Sequence, residues 1–135
     1  MKKLFGISAL IIAIAVTFSA CKKDDDSSGS NSTQNLESGK SWKVSYYYDN
    51  DKEETYKFTA YTFEFKDDGT LQANHSSGTS MGYWNVGSRF NITSFVNSPL
   101  DDLNDDWVIL SRSSDVIKLK DDNVTKREEL HFSLL

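Results

Sequence analysis

The chain has 135 residues, 38% hydrophobic and 13% aromatic, with 15 Lys and Arg against 20 Asp and Glu and a single Cys. One domain fits this length and a second does not. A general nucleic-acid binder would need a basic footprint, which this charge balance excludes, and a lone Cys forms no internal disulfide and no Cys-based zinc or redox pair.

Residues 1–20 are unlike the rest. They contain Lys2 and Lys3, an apolar run from Leu4 to Phe18, and the small residues Ser19 and Ala20 ahead of Cys21. Such a segment reads as a secretory signal peptide, too short and wrongly flanked for a transmembrane helix. Without it the chain carries 13 basic and 20 acidic residues, and its hydrophobic fraction falls to 32%, of which 15 residues in 37 are Phe, Tyr or Trp. Residues 21–35 follow as a tether: from Lys22 through Asn35 there is no apolar side chain, so nothing there repays the entropy of ordering.

Residues 36–135 read as one domain of short antiparallel strands, because Tyr, Phe, Trp, Val and Ile recur with a period of two between Gly, Asp, Asn and Ser. A first strand is expected over Ser41–Asp49, with Trp42, Val44, Tyr46 and Tyr48 on one face and Lys43, Ser45 and Tyr47 on the other; Asp49 to Lys52 supplies its turn. A second is expected over Thr55–Lys66. Tyr56, Phe58 and Ala60 there have one parity and Tyr61, Phe63 and Phe65 the other, so a bulge is expected near Ala60. Asp68-Gly69 is a hairpin signal. A third strand follows at Thr70–His75, with Leu71, Ala73 and His75 on one face.

A fourth strand is expected at Thr79–Val86, either parity serving as its inner face, and a fifth at Arg89–Phe95. A sixth begins at Trp107, a seventh covers Asp115–Lys120 with Ile117 and Leu119 inward, and an eighth covers Val124–Leu134 with Leu130, Phe132 and Leu134 on one face. Eight strands joined mostly by short turns favour an all-β, up-and-down antiparallel barrel, whose closure removes exposed edges. An open sandwich is the competing arrangement.

Two resemblances follow from these residues. Phe18-Ser19-Ala20-Cys21 resembles a bacterial lipobox, with Phe18 where Leu is usual; the resemblance implies that Cys21 is the lipidated residue and anchors the chain in a membrane, two or three acyl chains giving stable insertion at about 0.8 kcal/mol per buried CH₂. Lys22-Lys23-Asp24-Asp25-Asp26 resembles the export signal of surface lipoproteins, and a periplasm-facing linker is the alternative. The order Gly39 and Trp42, then Tyr61, Phe63, Phe65, Asp68, Gly69 and Thr70, then Gly82 and Trp84, resembles the lipocalin-like domains of lipoproteins from Bacteroidetes-type bacteria. That resemblance implies an outer-membrane lipoprotein with a small apolar or amphipathic ligand inside a barrel.

Trp42, Tyr46, Phe58, Phe63, Phe65, Trp84 and Trp107 are the candidate ligand-binding residues, with packed core as the competing reading of the same side chains. Tyr47 and Tyr48 are alternative candidates for a protein or glycan contact. The acidic runs Asp101, Asp102, Asn104, Asp105, Asp106 and Asp121, Asp122, Asn123 lack the spacing of an EF-hand and read as solvated turns. His75 and His131 offer no third soft ligand for zinc, and no nucleophile-elbow motif marks a serine. The expectation is therefore a noncatalytic envelope module without metal or cofactor, which contacts the membrane and either a small ligand or another envelope protein.

Overall fold

The structure, a computed structural model, describes residues 37–135. The signal peptide, the tether and the lipidation residue Cys21 lie outside the described residues. The rest forms one antiparallel sheet of nine strands: β1 Ser41–Asp49, β2 Lys52–Glu53, β3 Thr62–Phe65, β4 Thr70–His75, β5 Gly78–Val86, β6 Phe90–Thr93, β7 Asp105–Arg112, β8 Val116–Lys120 and β9 Glu129–Leu134. Strands β1 and β3 to β9 pair in turn, and β1 also pairs with β9, so eight strands close a barrel. The two-residue β2 only extends the end of β1. Closure, not a sandwich, is how this sheet avoids open edges.

Local chemistry places the turns. Asn50 and Asp51 both have positive φ, 47° and 67°, the backbone that a two-residue hairpin between β1 and β2 requires. At the β3–β4 hairpin Gly69 has φ 87°, and Asp68 Oδ1 accepts the Thr70 N–H at 2.9 Å. These hydrogen bonds from Thr70 hold the Asp68 carboxyl below its ordinary range.

Three expectations needed correction. In β1 the register shifts between Val44 and Tyr46, so Tyr47 turns into the core and Tyr46 and Tyr48 turn outward. The bulge lies in the first strand, where closure against β9 demands extra twist, and it reverses the parity that simple alternation assigns. The segment after β2 is likewise not one long strand. Thr55–Phe58 is a 3-10 helix that drops Phe58 into the barrel end and leaves Tyr56 exposed, so a helical turn rather than a bulge near Ala60 absorbs the change of phase. A second 3-10 helix, Leu100–Leu103, buries Leu100 and Leu103 at the same end. Residues 124–128 connect β8 to β9 instead of extending the last strand.

Inside, Phe65 is a hub. Its ring meets Trp42, Trp84, Phe90 and Phe132 edge-on, with centroids 6.0, 5.0, 5.7 and 5.3 Å away. Such contacts each add about 0.5–1.5 kcal/mol to the area buried. Gly82 is needed on β5 because a Cβ there would come within 2.9 Å of the Phe95 ring and of the Thr93 carbonyl oxygen.

The two barrel ends differ. The first, where β1 begins, is held by Glu37 and Arg112, whose carboxylate and guanidinium meet in a two-pronged ion pair; Glu37 is fully buried. The Glu37 carbonyl also accepts the Trp42 indole N–H at 3.1 Å. The second, where β1 ends, carries both 3-10 helices, linked by Lys57 to Asp102 at 3.3 Å and to Glu54.

Candidate functional site

Six of the seven candidate aromatic residues, Trp42, Phe58, Phe63, Phe65, Trp84 and Trp107, are in the closed aromatic and aliphatic interior, each at most 2% exposed. They belong to one buried cluster, with Trp42 and Trp84 packed edge-on against Phe65, so the interior is filled by its own side chains. All three indoles also have a structural hydrogen bond: Trp42 to Glu37, Trp84 to the Lys66 carbonyl at 3.0 Å, and Trp107 to the Leu103 carbonyl at 2.9 Å. A buried indole without such an acceptor would cost about 1–3 kcal/mol.

Tyr46 is the exception. The β1 bulge turns it onto the outer wall, where it lines an open cleft of about 520 Å³ at the second barrel end. Tyr46 and Tyr48 form one wall, their rings nearly parallel at 7° with centroids 6.3 Å apart, and His131 flanks Tyr46 at 4.9 Å. The opposite wall is the β8–β9 connection, Asp121, Asp122, Asn123, Val124, Arg127 and Glu128, with Lys120 and Glu129 at its two ends. The connection is shaped locally: Asp121 Oδ1 accepts the Asn123 N–H, and Asn123 Oδ1 accepts both the N–H and the hydroxyl of Thr125.

On the inner side of the cleft the acids converge. Carboxylate oxygens of Asp105, Asp121 and Glu128 lie within 4.8 Å of one another, and Asp49 lies beside Glu128. Burial, then the neighbouring Asp49, push Glu128 up to about 7; Lys126, 3.7 Å away and largely exposed, opposes this only partly. Burial also raises Asp105, with Asp121 and Asp106 adding to the effect. Asp49 Oδ1 is buried and accepts no hydrogen bond from an ordinary donor. Burial and the surrounding acids, Asp102 first, likewise push the Tyr47 phenol above its ordinary range.

The two acidic runs of the sequence therefore contribute to one cluster, Asp105 from the first and Asp121 from the second. Neither Asp49 nor Glu128 stands out in the sequence, because their proximity depends on the β1–β9 closure. The periodicity that placed Tyr46 on one face with Trp42 and Val44 could not register the bulge. The histidines are far apart in role: His131 Nε2 contacts Glu129 at 2.6 Å beside the cleft, whereas His75 Nδ1 is 2.7 Å from Ser77 Oγ within its own turn. Among the described residues no helix is long and apolar enough to cross a membrane.

Comparison with protein-family models, with curated proteins and with solved structures gave no match.

Proposed function

We propose that this protein is a noncatalytic lipoprotein of the bacterial outer membrane that holds a small amphipathic ligand in the cleft at the second barrel end. The observation that carries this reading is the cleft itself, which sets two tyrosine rings against a charged wall in a volume suited to a small molecule. The filled interior argues for the rim over the barrel lumen as the place where a ligand has room. Lipidation at Cys21 supplies the membrane contact in this reading. The chain enters the barrel at Glu37, at the first end, so the cleft lies at the end opposite the point where the tether joins the domain. A noncatalytic role is favoured because the Ser77 N–H and hydroxyl both engage His75 Nδ1 within one turn, an arrangement that shapes the loop.

Native mass spectrometry of gently purified protein is expected to show a retained small molecule, and Tyr46→Ala with Tyr48→Ala is expected to lose it. A bare protein mass, together with tyrosine resonances unmoved by a cell extract, defeats the ligand reading. Cys21→Ser is expected to abolish incorporation of labelled palmitate and release the chain from membranes. Protease added to intact cells distinguishes the two membrane faces.

A second reading, contact with another envelope protein, is favoured by Met81 and Tyr83, which project more than half exposed from the outer face of β5. Photo-crosslinking from position 83 in cells is expected to give one discrete adduct in that case, and a ladder of random products or none counts against it.

A further inference from the structure

We infer that the outer face of β4, β5 and β6 binds an uncharged saccharide, whose sugar rings lie against Tyr83 and Met81 and whose hydroxyls meet the side-chain amides around them. This site is separate from the rim cleft, and its occupant differs from a protein contact.

Strand register assembles the face. Tyr83 of β5 stands between Thr70 of β4 and Thr93 of β6, and Met81 stands beside Gln72. Towards one end Asn74 is paired with Thr79, and towards the other Asn85 is paired with Asn91. These nine residues point away from the core, because Leu71, Ala73, Gly82, Trp84 and Ile92, which alternate with them, are buried. Not one of the nine carries a charge, in a chain that is 26% charged. The outward residues of β8 and β9, by contrast, include Lys118, Lys120, Glu129 and His131. The charged side chains that border the β4–β6 face are Glu64 on β3, Lys66, Asp67 and Asp68 in the hairpin before Thr70, Arg89 before β6 and paired with Asp122, and Asp106 on β7.

The polar groups of the face are ordered among themselves. Asn74 Oδ1 accepts from Gln72 Nε2 at 2.8 Å and from the Thr79 hydroxyl at 2.9 Å, and Asn85 Oδ1 accepts from Asn91 Nδ2 at 3.0 Å. Each bond orients its amides, so the Asn74 and Asn85 NH₂ groups are held as donors, and the Gln72 and Asn91 carbonyls as acceptors, on the two sides of β5. Between them Tyr83 is 58% and Met81 53% exposed. A sugar hydroxyl both donates and accepts, so a saccharide uses both kinds of amide group. The positively polarised C–H bonds of its ring are attracted by the negative face of a tyrosine.

Size and charge set aside the other occupants. A stable protein contact takes about 20–30 residues from each side and has a largely apolar centre, whereas Met81 and Tyr83 are the two large apolar side chains among nine. A nucleic acid or an anionic polysaccharide needs cations, and a cationic ligand needs carboxylates; this face supplies neither.

The full chain, purified in mild detergent, is applied to an array of hexasaccharides of glucose, galactose, mannose or xylose, with hexamers of galacturonic acid and of glucosamine as anionic and cationic counterparts. At least one neutral hexasaccharide is expected to bind at a concentration roughly tenfold or more below both charged ones. It is expected to shift the Met81 methyl and Tyr83 ring NMR resonances while Tyr46 and Tyr48 stay in place. Tyr83→Ala is expected to weaken binding roughly tenfold, and Gln72→Ala or Asn85→Ala roughly threefold, with the Phe65 and Trp84 core resonances unmoved. Binding that survives Tyr83→Ala but is lost with Tyr46→Ala and Tyr48→Ala moves the saccharide to the rim cleft and overturns this assignment. A charged hexamer that binds as well as the neutral ones overturns it too. So does silence across the array, and a discrete protein adduct from position 83 together with that silence gives the face to a protein partner instead.

Discussion

The two ends of this barrel use carboxylates in opposite ways. At the first end one carboxylate, Glu37, is fully buried and is matched by one guanidinium in a two-pronged contact. At the second, Asp105, Asp121 and Glu128 bring carboxylate oxygens within 4.8 Å of one another, with Asp49 beside Glu128 and Lys126 3.7 Å from it. A buried charge is tolerable when its partner is close and its remaining lone pairs are satisfied, and costly otherwise. The first end is thus built to stay shut. At the second, burial and the neighbouring Asp49 instead push Glu128 up to about 7.

The comparison can be broken most severely at the first end. Arg112→Ala leaves Glu37 as an uncompensated charge inside the protein and is expected to cost about 3–5 kcal/mol in denaturant unfolding, while replacing both partners by apolar residues of similar volume restores most of that loss. At the second end Asn104 clamps the chain by donating to the Phe95 carbonyl at 2.8 Å and accepting the Phe95 N–H at 3.1 Å. Asn104→Ala is expected to cost about 1–3 kcal/mol, because both backbone groups lose their partner.

The smaller effects sharpen the contrast. Glu128 titrates near 7 in the folded chain and near 4.5 unfolded, so the folded state binds the extra proton. Its contribution is fully present below about pH 4.5 and is lost as pH rises through about 7. Glu128→Gln is therefore expected to leave stability unchanged in acid and to raise it at pH 8, by about 1 kcal/mol after allowance for solvent screening. A variant that follows the wild-type pH profile throughout would show that the acids are not coupled. Tyr46→Ala, on the outer wall, is expected to change stability by less than about 1 kcal/mol; a larger loss would mean that the ring is packing rather than a free wall of the cleft.

Much of the fold was legible because its signals are local. The Asp68-Gly69 hairpin, the limits of β1 and β4, and the burial of Ile117, Leu119, Leu130 and Phe132 follow from turn chemistry and alternation, and the structure has them as expected, whereas Leu134, at the end of β9, is exposed. The Gly82 and Trp84 spacing was visible too, although its reason, the Phe95 ring lying over Gly82, was not. The cleft was legible only in pieces. Tyr46 was singled out for the wrong side of the sheet, Tyr48 was noted as a surface candidate, and Asp105 and Asp121 stood in separate acidic runs. Arg112 carried no signal, since nothing near it in sequence identifies Glu37 as its partner.

By itself the sequence determined an all-β chain with its main turns, since hydrophobic period and turn geometry are set within a few residues. It also determined the number of barrel strands and the aromatic composition of the core. Only the tertiary structure decided which faces those strands present and which charges meet. Pairing of β1 with β9 joins segments more than eighty residues apart, and the bulge needed for that closure turns Tyr46 outward as it brings Asp49 against Glu128. Contacts of that kind depend on the register of the closed sheet, which no short stretch of sequence contains.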